Sequence, residues 1–277
     1  MQPVALDLLA DVDPELGPWA AELAHLRACL LGSIGESAEA LRGLQEASDA
    51  GAWWEEGILT EDDDLVTLQD LPAFQNLVAL SRTRRITAQD PPLVEVPASS
   101  AGGVVVALHG AGQRARHAMR DWAGVLELGY ALVGVESSQL MSPMYRTWPD
   151  PEAAREDIAR ALAQLPEELR GLPLIAAGFS AGGRAALDWA LTGRPEPAAG
   201  VVVLAPAVRE LPTEALAELS PAAVLIGTED DLLEVVEKAA EKLTTFGVTI
   251  HRLPGLNHEI PADLPAQLRS LLPGSAT

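Results

Sequence analysis

The feature that most constrains the fold is a regular alternation of apolar runs and helix-length stretches over residues 91–277. The apolar runs occupy residues 102–110, 130–137, 172–180, 198–206, 221–230 and 248–254. Helical patterns fill the intervals at 115–128, 151–165, 181–193, 231–246 and 259–272. Continuous apolar strands that alternate with helices are typical of a parallel sheet covered on both faces. We therefore predict an α/β fold with a mostly parallel sheet, and VEVPA (94–98) as an edge strand.

The first 90 residues follow a different pattern. Apolar residues recur at helical spacing in 18–31, 37–48 and 53–85, and no run is typical of a strand. The acidic run EDDD (61–64) is interpreted as a solvated helix entry, because acidic residues favour first turns, with a ligand cluster as the alternative. We predict a small helical appendage over 1–90, with 87–92 as the linker to a second domain over 91–277.

Charge and cysteine content exclude several functions. The chain has 19 basic and 40 acidic residues, a net charge of −21, which disfavours binding to nucleic acid or to anionic membranes. No apolar run is long enough to span a bilayer, and the N-terminus lacks a basic signal region. Cys29 is the single cysteine, so a thiolate zinc cluster and an internal disulfide are excluded. We expect a cytoplasmic protein.

The chemistry-bearing motif is Gly178-Phe179-Ser180-Ala181-Gly182, a G-x-S-x-G pentapeptide. It ends an apolar run and opens a helical pattern, the strand–turn–helix placement of a nucleophile elbow. In that placement the serine hydroxyl stands at the carboxyl edge of the sheet, at a helix N-terminus that favours developing negative charge. The alternative is a glycine-rich turn without chemistry. We predict that Ser180 is a nucleophile.

A serine hydroxyl needs a base to remove its proton, and the base needs an acid to orient it. His258 and Asp230 follow Ser180 in the chain, and each comes just after a separate predicted strand. The carboxyl ends of parallel strands meet at one edge of a sheet, where α/β proteins bind ligands. Asp231 and, more distantly, Glu136 are the alternative acids.

The remaining histidines have simpler interpretations. His251 lies within a predicted strand and is expected to be packed or on the surface. His25 and His117 lie on helical segments and are expected to be solvated. His109 precedes a glycine in a turn and is expected to be structural rather than a base.

Residues 91–277 resemble the α/β-hydrolases, and most closely the phospholipase/carboxylesterase family that includes acyl-protein thioesterases. The resemblance rests on four motifs: LHGAG (108–112), GFSAGG (178–183), GTED (227–230) and PGLNHEI (254–260). One departure is Ala181, where many members of the family have glutamine. Residues 1–90 show a weaker resemblance, over about 50 residues, to tetratricopeptide helical repeats.

The family resemblance implies roles for further residues. The family spacing of the acid after the strand-end glycine selects Asp230 over Asp231. The backbone amides of Ala111 and Ala181 are implied to form the oxyanion hole. The loop over 137–150 resembles a substrate-facing segment of the family, and its alternative is a loop packed on the core. The predicted substrate-binding residues are Met141, Met144, Tyr145 and Trp148.

These residues together predict a carboxylesterase-type serine hydrolase that forms an acyl-enzyme and needs no cofactor or metal. The segment over 207–221 has no room for a long lid, which favours small-molecule esters of short or medium acyl chain. A serine peptidase or amidase is one alternative. The other is a non-catalytic adaptor that binds a protein partner through residues 1–90. Self-association, and a cap over the active site that restricts substrate size, are the alternative roles of the same residues.

Overall fold

The computed structural model describes residues 6, 9, 13–215 and 218–272. The chain forms two compact units. The helical unit comprises Met1–Ala88 together with Leu140–Arg146, and the sheet unit comprises Gln89–Gln139 together with Thr147–Thr277. The division between residues 88 and 89 lies close to the predicted boundary at residue 90. The assignment of residues 140–146 to the helical unit differs from the prediction.

In its described residues, the helical unit has four α-helices and no strand. They are α1 (Ala20–Ser33), α2 (Ser37–Asp49), α3 (Glu56–Thr60) and α4 (Pro72–Arg84), with 3₁₀ turns at Pro14–Trp19 and Asp63–Leu68. The pattern over 53–85 is therefore broken into three short elements. The breaks follow local chemistry, because Asp62 caps the 3₁₀ turn and Pro72 begins α4.

The core of the helical unit is built around Trp54. Its ring is 1% exposed, and its indole N–H donates to the carbonyl of Ala21, 2.9 Å away on α1. A buried tryptophan commonly needs such a partner for its N–H. The loop Leu140–Arg146 joins this unit through two hydrogen bonds. The Glu55 amide donates to the Met141 carbonyl, and the Ser142 hydroxyl donates to the Glu22 carboxylate.

The sheet unit contains seven strands in the order β1-β3-β2-β4-β5-β6-β7. They are β1 (Leu93–Glu95), β2 (Gly103–Leu108), β3 (Tyr130–Val135), β4 (Leu174–Phe179), β5 (Gly200–Leu204), β6 (Ala222–Gly227) and β7 (Thr249–Leu253). All neighbours are parallel except β1, which pairs antiparallel with β3 at the edge. The predicted strands and the predicted edge strand are confirmed.

In the described part of the sheet unit, five α-helices cover the sheet. They are α5 (Ala115–Trp122), α6 (Pro151–Ala163), α7 (Ser180–Thr192), α8 (Leu233–Thr245) and α9 (Leu264–Leu271). Every residue of strands β2 to β5 is buried. This burial explains why these strands are continuously apolar rather than alternating. The last helix begins five residues later than its pattern indicates, because residues 259–263 form a bend, an irregular stretch and a turn.

Among the described residues, no helix is both long enough and apolar enough to cross a bilayer.

Candidate active site

The central strand β4 delivers Ser180 directly into the first turn of α7. Ser180 has φ of 53°, one of two positive φ values among the described non-glycine residues. Such a conformation is costly for a residue with a Cβ and persists only where the surroundings impose it. Here the positive φ of Ser180 arises because β4 ends at Phe179 and α7 begins at Ser180, with no connecting loop between them.

Glycines on both sides of Ser180 make this turn sterically possible. A Cβ on Gly178 would lie 2.6 Å from the backbone of Gly182, and a Cβ on Gly182 would lie 2.3 Å from the carbonyl oxygens of Leu108 and His109. Both separations are shorter than any stable contact. The motif therefore uses its glycines to let α7 pack closely against β2 and β4.

The loops after β6 and β7 bring an acid and a histidine to the same serine. His258 Nε2 lies 3.0 Å from Ser180 Oγ, and His258 Nδ1 lies 2.9 Å from Asp230 Oδ2. The geometry fits a neutral imidazole in which Nδ1–H donates to Asp230 and Nε2 accepts from the hydroxyl. The structure thus joins the three predicted residues in one hydrogen-bonded chain.

Asp230 is shielded from solvent and has a second hydrogen-bond partner besides His258. Its side chain has no exposed surface, whereas that of His258 is 34% exposed. Asp230 Oδ1 also accepts a hydrogen bond of 2.7 Å from the Leu232 amide. Asp231, the alternative acid, is exposed. Of the two candidate acids, Asp230 is the one that is hydrogen-bonded to His258.

The imidazole of His258 also packs against Phe179. Their ring centroids are 4.8 Å apart, with the planes tilted by 31°. Phe179 directly precedes Ser180, so the turn that presents Ser180 also supports the His258 ring. Sequence reasoning missed this contact, because nothing in the G-x-S-x-G pattern specifies what the second residue touches.

The two predicted oxyanion donors lie just after the carboxyl ends of two neighbouring strands, β4 and β2. Ala181 is in the first turn of α7, where amides have no partner within the helix. Ala111 is in a turn after β2, closed by a hydrogen bond from the Gln113 amide to the Gly110 carbonyl. The Gln113 side chain closes the turn from the other direction, since its Oε1 accepts from the Gly110 amide at 2.9 Å. Gln113 is a supporting residue that the sequence analysis did not single out.

His109 has the structural role expected of it. It is 1% exposed, its Nδ1 donates to the Gly110 carbonyl at 2.8 Å, and its Nε2 accepts from the Ser137 amide at 3.2 Å. Both nitrogens are thus committed to backbone groups, which fixes the loop that carries Ala111. Glu136, the distant alternative acid, accepts from the Ala115 amide at 2.9 Å and so begins α5.

Trp148 is interior rather than substrate-facing. Its ring has no exposed surface and lies 5.1 Å from the His109 ring, centroid to centroid. Its indole N–H donates to the His109 carbonyl at 2.8 Å. A side chain enclosed in this way supports the loop after β2 from inside the sheet unit, and the prediction that Trp148 contacts substrate does not fit this burial.

The other three predicted substrate residues lie in the segment that belongs to the helical unit. Met141 is buried, and Met144 and Tyr145 are half-buried. Burial, with a smaller effect of the Glu22 carboxylate, raises the pKa of Tyr145. Contact of these three with substrate stays a prediction.

Two histidine interpretations are changed by the structure. His25 is not solvated: only 20% of its side chain is exposed, and burial lowers its pKa. His117 accepts a hydrogen bond from the Arg114 amide and so helps to cap α5.

A seven-stranded, mostly parallel sheet with a serine, a histidine and an acid after its strands defines the α/β-hydrolase class. Residues 99–220 match the family model described as serine aminopeptidase, S33, and residues 2–89 match that of an A/B hydrolase-like N-terminal domain. The chain has the α/β-hydrolase fold. The tetratricopeptide resemblance of residues 1–90 is not confirmed, and the short, unequal elements after α2 do not form a repeat.

Solved structures share the fold at low identity. An uncharacterized protein from Bacillus cereus ATCC 10987 is 24% identical, with a TM-score of 0.54 over 94% of this chain and 86% of its own. Esterase PE8 is 24% identical, with a TM-score of 0.55 over 68% and 100%. The Bacillus cereus carboxylesterase is 17% identical, with a TM-score of 0.52 over 65% and 91%. No curated protein matches the sequence.

If the buried carboxylate orients the imidazole, we expect Asp230→Asn to lower kcat by about 10⁴-fold while the fold persists, because the amide favours the wrong histidine tautomer. The matched control is Asp231→Asn, which changes the same charge on the exposed neighbour and should leave kcat unchanged. Steady-state hydrolysis of a chromogenic ester measures both. Equal losses in the two variants would assign the effect to local charge instead.

Proposed function

We propose that this chain is a serine hydrolase that cleaves carboxylic esters. The observation that carries the proposal is the continuous hydrogen-bonded chain from Ser180 Oγ through His258 to Asp230. This arrangement activates a hydroxyl that is otherwise a weak nucleophile.

In the proposed mechanism, Ser180 Oγ attacks the ester carbonyl carbon while its proton moves to His258 Nε2. Asp230 stabilises the imidazolium that forms. The amides of Ala111 and Ala181 bind the oxyanion, and His258 returns the proton to the departing alcohol. Water then attacks the acyl-enzyme by the same route and releases the acid.

We propose short or medium acyl chains as the preferred esters. The described residues of 207–221 contain no helix or strand that could serve as a lid. The absence of a lid element from this described part of the segment favours small-molecule substrates over aggregated lipid. The proposed location is the cytoplasm, with no nucleic acid or membrane partner, in keeping with the net charge of −21.

A second candidate is an aminopeptidase or amidase. It is favoured by the S33 family match over residues 99–220, whose description is that of a serine aminopeptidase. A serine, a histidine and an acid in this arrangement can also cleave amides, so the substrate that the chain hydrolyses best decides between the two candidates.

A third, less favoured role is an adaptor, in which the helical unit binds a protein or a second copy of the chain.

The test is a substrate panel on the purified chain: p-nitrophenyl acetate, butyrate, octanoate and decanoate beside amino-acid p-nitroanilides. We expect kcat/KM to be highest among the shorter esters and low for the anilides. Rates that rise steadily from acetyl to decanoyl would overturn the proposed chain length. Preference for an anilide would favour the aminopeptidase, and a folded chain inactive on all substrates would favour the adaptor.

A further inference from the structure

Three side chains of different chemistry converge in the helical unit, outside the site already described. They are His25 and Cys29, one helical turn apart on α1, and Asp62, which precedes the 3₁₀ turn at Asp63–Leu68. One ligand atom from each lies within 4.8 Å of the other two. We propose that these residues form a binding site for a divalent transition metal, with Zn²⁺ as the best-fitting ion.

The distances between the ligand atoms match one face of a zinc tetrahedron. Cys29 Sγ lies 3.5 Å from His25 Nε2 and 3.3 Å from Asp62 Oδ2, and Nε2 lies 3.7 Å from Oδ2. Zinc bonds of about 2.3 Å to sulfur and about 2.0–2.1 Å to nitrogen or oxygen, at tetrahedral angles, give ligand separations of about 3.3–3.6 Å. Binding also needs the imidazole to turn so that Nε2 leaves the Ile58 carbonyl and faces the space between the other two ligand atoms.

The positions of the three residues are fixed by the fold. Residues at i and i+4 project from the same face of a helix, which brings His25 and Cys29 together. Asp62 divides its two oxygens between two tasks. Its Oδ1 accepts from the Asp64 amide at 3.0 Å and caps the 3₁₀ turn, which leaves Oδ2 facing the thiol and the imidazole.

The ligand set selects the class of metal. Thiolate and imidazole favour zinc and neighbouring transition metals, whereas Mg²⁺ and Ca²⁺ prefer oxygen ligands throughout.

Metal binding changes the protonation of two of the ligands. In the metal-free chain the thiol donates to Asp62, and His25 Nε2 donates to the Ile58 carbonyl at 3.1 Å. Binding releases the thiol proton to solvent and moves the imidazole proton to Nδ1. Three protein ligands leave a fourth position for water.

The acidic run at residues 61–64 thereby has two roles. It caps a turn, as its composition indicates, and it contributes one metal ligand. The run alone does not define a site, because its other carboxylates face solvent. One cysteine is sufficient for a zinc site here, because histidine and carboxylate side chains also bind zinc.

The test uses the full chain without an affinity tag, freed of metal by a chelator and titrated with ZnCl₂ against a chromophoric zinc indicator. We expect one Zn²⁺ per chain. The ligand variants Cys29→Ser, His25→Gln and Asp62→Asn should each lower the association constant by more than about 100-fold, because loss of even an outer-shell partner costs about 10–100-fold. Asparagine keeps the cap, so Asp62→Asn tests the ligand with the turn intact.

Two control variants and a spectroscopic readout complete the test. Asp63→Asn and His251→Gln remove a carboxylate and an imidazole outside the cluster and should bind Zn²⁺ as the parent does. Co²⁺ should give thiolate charge-transfer absorption in the parent and none in Cys29→Ser. Absence of Zn²⁺ binding, binding that survives all three ligand variants, or Co²⁺ bound without that absorption would each overturn the proposal.

Discussion

Ser180→Ala is expected to abolish ester hydrolysis, lowering kcat by about 10⁶-fold, the loss seen when the nucleophile of a serine hydrolase is removed. The substitution removes only the hydroxyl group, whose Oγ lies 3.0 Å from His258 Nε2. Alanine has the same backbone preferences as serine to within a small energy, so the strained turn at φ of 53° is retained. The variant should therefore fold with an unchanged Tm.

The matched control is Ser270→Ala on α9, where the hydroxyl is exposed and donates only to the Gln267 carbonyl. It should retain parental kcat and KM. Burst kinetics add a second criterion, because an acyl-enzyme on Ser180 gives one equivalent of p-nitrophenol per active chain before the steady state. Residual hydrolysis in Ser180→Ala at more than a small fraction of the parental rate would assign the activity to another group.

The sheet was predictable because its signal is local. Strands β2 to β5 are buried on both faces, and burial on both faces demands a continuous apolar run that can be seen without knowing its neighbours. Chain order then places Ser180, Asp230 and His258 after separate parallel strands. Geometry at the level of a hydrogen bond, such as Asp230 rather than Asp231, required the family spacing as well.

The features that sequence could not supply depend on contacts between distant residues. Nothing local indicates that residues 140–146 pack with the helical unit through Glu22 and Glu55, more than 80 positions earlier. Trp148 looks the same in sequence whether its ring faces a substrate or, as here, the interior. Likewise Asp62 carries two roles at once, and an acidic run indicates only the capping role.

Gly182→Ala is expected to damage both the stability and the activity of the sheet unit. The added Cβ would lie 2.3 Å from two backbone carbonyl oxygens at the end of β2, and neither can move as a flexible side chain could. Overpacking of a well-filled interior costs about 1–3 kcal/mol and occasionally more. Because backbone meets backbone here, we expect a loss at or above the upper end, about 3 kcal/mol of unfolding free energy.

Activity should fall further than stability alone explains. Relief of the clash requires α7 to move away from β2, and α7 begins at Ser180, so the nucleophile moves with respect to the loop that carries Ala111. A displacement of about 1 Å in a reacting group can cost about 10²-fold in rate. Folded Gly182→Ala should therefore have kcat lower by at least about 10²-fold, measured below its Tm so that unfolding does not contribute.

The control is Gly43→Ala in the interior of α2, where a Cβ would meet nothing within 4 Å. Alanine at such a position should stabilise the helix by about 0.5–1 kcal/mol and leave kcat unchanged. If glycine-to-alanine destabilises the chain at residue 182 and stabilises it at residue 43, the changes in unfolding free energy have opposite signs. That result would show that residue 182 must be glycine because the backbones of α7 and β2 approach closely there, and not because the turn needs a flexible residue. A Gly182→Ala variant with parental Tm and kcat would instead mean that α7 packs less tightly on β2 than the geometry indicates.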